Sequence, residues 1–366
     1  MIYIEETLLD TAGAPVTPGY IAPRAEEPAA APDPKSWWER LDGDMRKVLE
    51  TFEDLEPLPI ETLTAEAARE QPTVADAALT LLRERKLDRI ADLGVKTQDI
   101  TIAGAAGPLP ARLYGVDEDR DADAKLRPMV VYWHGGGFVL ADLNTYDSSP
   151  RVIARFSGAI VVSCDYRHAP EDKFPAAHDD AFAAYKWVLA HAESFGGDPA
   201  KVAVMGESAG GNLAANVAIR ARDEGIPAPV YQALIYPVAG HDMETPSYLE
   251  NAHAKPLNKA MMGWFVEKYL NVASEAYDPR INLLAANLAG LPDATVICAE
   301  IDPLRSEGEA LAEKLKAAGA EVRTHTFKGV THEFFGMGLV VKDSAAAEQM
   351  VAHNLKRAFG TAILPI

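Results

Sequence analysis

Two periodicities divide this chain. Between residues 36 and 90 apolar side chains recur at helical spacing: Trp37, Trp38, Leu41, Met45 and Leu49, then a second pattern from Val74 to Ile90. From about residue 98 the texture changes. Short β-rich runs at 98–104, 110–116, 128–133, 159–164, 201–205, 230–236, 294–299 and 321–327 alternate with helical patterns at 145–156, 176–193, 209–224, 306–318 and 343–358. Runs such as PMVVYW, AIVVSC and KVAVMG are apolar without alternation, as in strands covered on both faces of a mainly parallel sheet. The alternation predicts an α/β fold, a doubly wound, mostly parallel sheet flanked by helices, with its site at the carboxyl ends of the strands.

One stretch breaks the rhythm. Residues 239–285 follow a strand and carry no strand pattern, but hold a helical segment around Met261, Met262, Trp264, Phe265 and Tyr269. They read as an insertion above the sheet. The expected organisation is an extended Ala/Pro-rich arm over 1–35, a helical part of a cap over 36–94, a catalytic domain over 95–238 and 286–366, and the rest of the cap over 239–285.

Charge narrows the partners. The 366 residues carry 54 acidic and 35 basic side chains, a formal net charge of −19. Such a surface repels phosphate backbones and anionic lipid, so neither nucleic acid nor a membrane is an expected partner. No run approaches the roughly 18 apolar residues of a membrane span. The acidic start MIYIEETLLDTAG does not resemble a secretory signal, so the default expectation is cytoplasmic. Cys164 and Cys298 sit singly inside strand-like runs and no CxxC pair occurs, so neither a metal nor a redox cofactor is expected.

The sharpest chemical signal is MGESAGG, a G-x-S-x-G match between an apolar strand pattern and a helical one. That context makes Gly206-Glu207-Ser208-Ala209-Gly210 a candidate nucleophile elbow. Small neighbours allow so tight a turn, and the helix N-terminus behind Ser208 favours developing negative charge. The second signal is HGGG, His134 to Gly137, directly after the third candidate strand. Serine attack on an acyl carbon creates an oxyanion that backbone N–H groups must meet. Gly135, Gly136 and Ala209 are the candidate donors. A phosphate-binding loop is the competing reading, but no G-K-[ST] follows.

A serine nucleophile needs a base and the base an orienting acid, in the chain order Ser, Asp or Glu, His. Of the histidines after Ser208, His353 lies inside a terminal helical pattern and His325 inside the last strand pattern. His332 comes after that strand in GVTHEFFGM, where a loop can carry it over Ser208. Asp302 stands directly after the strand ATVICAEI and is the candidate acid, with Glu300, Glu307 and Asp278 as alternatives. Phe138, Met261, Met262, Trp264, Phe334 and Phe335 are candidate pocket walls.

Taken together, HGGG, DYRHAPE, GESAGG, DPLRSEG and the late His332 resemble the hormone-sensitive-lipase-like family of bacterial carboxylesterases, over roughly residues 95–360. The resemblance implies an α/β-hydrolase fold and hydrolysis of short- to medium-chain acyl esters. It implies a Ser208–Asp302–His332 triad, a helical cap, no cofactor, and dimers through the last strand and terminal helix. Three positions depart from the family pattern: His168 where leucine is usual, Ser306 where aspartate is usual, and Glu207 where many relatives have aspartate. Rival readings are an amidase or a hydrolase of a specialised metabolite ester, and a ligand-binding protein on a hydrolase scaffold without chemistry.

Overall fold

The computed structural model describes residues 36–88, 92–115 and 125–362. The expected arm over 1–35 lies outside them. Within this range the sheet has eight strands: β1 (Thr97–Ala103), β2 (Pro108–Tyr114), β3 (Arg127–Trp133), β4 (Ile160–Cys164), β5 (Gly197–Glu207), β6 (Gln232–Ile235), β7 (Ala294–Ile301) and β8 (Val322–Thr331). Their order is β1-β2-β4-β3-β5-β6-β7-β8. β2 runs antiparallel to both its neighbours and every other pairing is parallel. The mainly parallel, doubly wound sheet expected from the alternating pattern is therefore the fold.

The apolar runs are explained by burial on two faces. Successive strand side chains point to opposite sides. Met129, Val131 and Trp133 of β3 and Val202 and Val204 of β5 join one core, with helices α6 (Ala176–His191), α7 (Ala209–Asp223) and α10 (Arg305–Ala317). Val130, Tyr132, Ala203 and Met205, the residues between them, join a second core with α5 (Ser148–Ser157) and α11 (Lys342–Ala358). A strand with both sides covered has no polar face to show.

The amino-terminal segment folds into short helices: α1 (Ser36–Glu39), α2 (Gly43–Asp54), α3 (Ala65–Arg69) and α4 (Val74–Glu84). Thr73 and Asp76 form a capping box at the start of α4, each side chain bonding the other's backbone N–H, at 3.3 and 2.8 Å. Met45, Val48 and Leu49 of α2 are buried with Val74, Ala77 and Leu81 of α4. Burying each large side chain here contributes about 1.5–3 kcal/mol. Residues 239–285 hold α8 (Pro246–Glu250), α9 (Lys259–Tyr269), two 3₁₀ turns and no strand. The two helical segments meet, because Trp264 Nε1 on α9 donates to Leu63 O at 3.1 Å. Arg69, at the end of α3, donates to Val139 O and Ala169 O at 2.9 and 2.8 Å and pairs with Glu171, so the same segment is fastened to the loops after β3 and β4.

Candidate active site

β5 runs straight into Ser208, and α7 begins at the next residue. Ser208 has φ 54° and ψ −117°, a conformation that costs energy for any residue with a side chain and persists because the turn is held from both sides. Its N–H donates to Ile235 O at 2.9 Å, and its carbonyl accepts from Val238 N at 3.1 Å. The flanking glycines are required sterically: a Cβ on Gly206 would lie 2.1 Å from Gly210 O, and one on Gly210 would lie 2.0 Å from Trp133 O.

The other two members are aligned by strand register. Ile301 and Thr331 are partners across β7 and β8. Asp302 and His332 each follow one of them, so both side chains leave the sheet at one level. His332 Nδ1 lies 2.7 Å from Asp302 Oδ2, and His332 Nε2 lies 2.9 Å from Ser208 Oγ. Asp302 Oδ1 accepts from Leu304 N at 2.8 Å, which fixes the carboxylate plane. All three residues are buried. Burial disfavours charge on His332, but the carboxylates around it, Asp302 first by its charge and its hydrogen bond and then Glu333 and Glu207, together outweigh burial and raise the imidazole above its ordinary pKa. His325, the passed-over alternative, is exposed on β8.

Glu207 is buried behind the serine. Tyr132 Oη donates to its Oε1 at 2.7 Å, and Tyr236 Oη donates to Oε2. Burial pushes its carboxyl up to about 7. Both of its oxygens are thus engaged by tyrosine hydroxyls behind the nucleophile.

The HGGG loop passes against the nucleophile: a Cβ on Gly135 would lie 2.3 Å from Tyr146 Oη and 3.2 Å from Ser208 Cβ. Gly136 has φ +96°, and a Cβ there would lie 2.2 Å from Leu140 O, so only glycine fits. Ser208 and His332 open into a cavity of about 940 Å³ whose lining includes Gly136, Phe138, Met261, Met262 and Phe335. Phe138 is held there by stacking on Tyr269, with ring centroids 4.1 Å apart.

Two expected wall residues are not walls. Trp264 turns its indole toward Leu63. Phe334 is fully buried beside Tyr236 and Phe327 and is not among the residues that line the cavity. Apolarity placed both near the site but could not say which way each faces. Phe265, Tyr146 and Glu333 do line the cavity and were missed. The signal for Phe265 was present, since Met261, Phe265 and Tyr269 recur at i, i+4 and share one helix face. Tyr146 and Glu333, joined by a Tyr146 Oη to Glu333 Oε1 bond of 3.1 Å, carried no motif.

Of the departures from the family pattern, Ser306 accepts from Ser247 N at 3.1 Å and donates its own N–H to Ser247 Oγ at 3.0 Å, joining α10 to α8. His168 lies away from the cavity, beside His134 and Asp165.

Known proteins share the sequence and the fold. The profile of a family described by its alpha/beta hydrolase fold matches residues 130–336. Esterase LipI of Mycobacterium tuberculosis is 41% identical over 257 residues, covering 69% of this chain and 79% of its own. The ethyl acetate hydrolase of Pseudomonas putida is 34% identical over 302 residues, covering 82% and 92%. Among solved structures, the hyperthermophilic esterase of Pyrobaculum calidifontis superposes with a TM-score of 0.78 at 37% identity, covering 88% of this chain and 100% of that one. The chain belongs to the α/β-hydrolase-fold family. Within that fold it is one of the hormone-sensitive-lipase-like carboxylesterases, a serine hydrolase of carboxylic esters.

Proposed function

We propose that this carboxylic ester hydrolase cleaves short- to medium-chain acyl esters through Ser208, His332 and Asp302. The observation that carries the reading is the unbroken chain from Asp302 Oδ2 to His332 to Ser208 Oγ, at 2.7 and 2.9 Å, opening into an apolar-walled cavity. His332 takes the Ser208 proton as Oγ attacks the acyl carbon. The oxyanion is met by the N–H groups of Gly135, Gly136 and Ala209. His332 then protonates the leaving alcohol, and an acyl-Ser208 ester remains. Water, deprotonated by the same imidazole, releases the acid. Asp302 holds the imidazole tautomer and stabilises its charged form.

In this reading residues 36–94 and 239–285 act as a cap that sets acyl length, supported by their shared place in the cavity lining, with Ala68 and Val74 from the first and Met261 and Phe265 from the second. We assign the enzyme to the cytoplasm, tested by cell fractionation. We also read it as a homodimer pairing through β8, the last strand of the sheet, and α11, tested by light scattering.

Hydrolysis of p-nitrophenyl esters from acetate to decanoate, with wild type beside Ser208→Ala, tests the central claim. Wild-type turnover with a drop of about a thousandfold or more in the variant is expected. Full activity in Ser208→Ala would overturn the assignment. Inactivity of a folded wild type on all of these esters would favour a binding role for the scaffold.

A further inference from the structure

β3 and β4 are parallel neighbours, and Trp133 and Cys164 are the last pair in their register. The next residue of each strand, His134 and Asp165, therefore emerges side by side at the carboxyl edge of the sheet. His168 turns back onto them, with its ring edge-on to His134 at 5.6 Å between centroids. One ligand atom from each of His134, Asp165 and His168 lies within 4.8 Å of the other two.

Hydrogen-bond accounting leaves this cluster incomplete. His134 Nδ1 lies 2.8 Å from Gly135 O, and a carbonyl only accepts, so Nδ1 carries the proton. In the neutral ring Nε2 then presents a lone pair, and it faces Asp165 Oδ1 at 3.4 Å. His168 Nε2 lies 3.5 Å from the same oxygen, is buried, and makes no hydrogen bond. A second proton on His134 would satisfy one of these contacts and leave His168 Nε2 still without a donor or acceptor. A buried unpaired nitrogen of this kind has room for an unseen water or ion, and the spacing of its neighbours decides which.

The spacing fits a metal. Bonds of about 2.0–2.1 Å in a tetrahedral zinc site put neighbouring ligand atoms about 3.3 Å apart. The two contacts to Asp165 Oδ1, at 3.4 and 3.5 Å, are already close to that edge length. The supporting shell is in place as well. The Nδ1–H bond to Gly135 O fixes the His134 ring, Tyr166 stacks on it at 4.6 Å, and Tyr166 N donates to Asp165 Oδ1 at 2.8 Å. His134 is fully buried, while the side chains of Asp165 and His168 are 20% and 17% exposed, which leaves a way in from solvent.

We propose that His134, Asp165 and His168 form a binding site for a divalent cation of the zinc class, with water as a fourth ligand. Two imidazoles and one carboxylate select a borderline-soft ion over magnesium or calcium. None of the three residues lines the cavity that holds Ser208, so the site is separate from the substrate's. Its place is behind the glycine loop: His134 precedes Gly135, and Ala169 N donates to Phe138 O at 2.9 Å. A bound ion would cross-link the segments after β3 and β4 and hold the loop. This inference stands apart from the esterase reading, because its readouts do not involve turnover.

Titration of metal-free protein with Zn²⁺ by calorimetry, and with Co²⁺ by visible absorption, tests it in the wild type, His168→Leu and His168→Gln. Expected are one saturable ion per chain, the intense absorption of tetrahedral Co²⁺, and a rise in Tm on loading. Both variants should bind at least about tenfold more weakly and lose the Co²⁺ band. Near-ultraviolet circular dichroism checks their fold. If the wild type binds no better than a folded His168 variant, the ions are held by surface carboxylates and the proposal fails. A wild type that gives no tetrahedral Co²⁺ band overturns it without reference to either variant.

Discussion

Asp302 Oδ2 stands 2.7 Å from Nδ1 of His332, and the two residues leave adjacent parallel strands one position beyond the register pair Ile301 and Thr331. The contact does two things. It keeps the proton on Nδ1, so that Nε2 faces Ser208 as an acceptor, and it raises the pKa of the imidazole against the effect of burial.

The pH dependence of turnover follows. His332 must be neutral to accept the Ser208 proton, so kcat/KM rises with pH as the imidazole deprotonates. Its half-point in the wild type should lie above the ordinary histidine value of 6.5. Asp302→Asn removes the foremost of the groups that raise it and leaves the burial that lowers it, with only the weaker influence of Glu333 and Glu207 opposing, so the half-point moves down. The amide also favours the wrong tautomer, and kcat should drop about a thousand- to ten-thousandfold. pH profiles of residual activity in the variant check both effects. An unchanged half-point would exclude Asp302 as the partner of His332.

Glu207 links the site to stability. Its carboxyl is raised from 4.5 to about 7 by burial, with Tyr132 and Tyr236 donating to its oxygens. The folded state therefore holds this proton more tightly than the unfolded chain does. Stability contributed by Glu207 is greatest below pH 4.5, falls as the pH rises toward 7, and is constant above that. The loss amounts to roughly 3 kcal/mol across the window, at 1.36 kcal/mol per pKa unit. Glu207→Gln has no such proton to lose. Urea unfolding at pH 5 and pH 8 should show the variant gaining on the wild type at the higher pH, whatever its absolute stability. Equal differences at both values would mean that Glu207 is not held neutral.

Much of this was legible because it rests on local steric demands. The elbow can be read from sequence since Gly206 and Gly210 leave no room for a Cβ, and Gly136 likewise at the loop. The strand runs were legible because β3 and β5 are covered on both sides. Exact strand ends were not: β8 continues to Thr331, beyond the expected end at 327, after a register shift between Ala299 and Ile301 on β7. The grouping of His134, Asp165 and His168 was illegible for a different reason. It depends on β4 lying beside β3 in the sheet, and neither residue type nor spacing records strand order.

Helix α9 supplies the last test, because its two faces have different jobs. Phe265 lines the cavity, and its ring is what a Cβ on Gly137 would strike, at 2.2 Å. Trp264, one position earlier, points away and donates to Leu63 O at 3.1 Å. Phe265→Ala opens space beside the glycine loop, so the optimum among p-nitrophenyl esters should move to longer acyl chains, with kcat/KM for acetate falling most. Trp264→Phe keeps the ring and removes only the indole N–H, so it should cost about 1 kcal/mol of stability and leave the chain-length profile where it was. Profiles of both variants across the acetate to decanoate series separate the roles. A shift in Trp264→Phe equal to that in Phe265→Ala would mean that the helix position as a whole, and not the Phe265 side chain, sets acyl length.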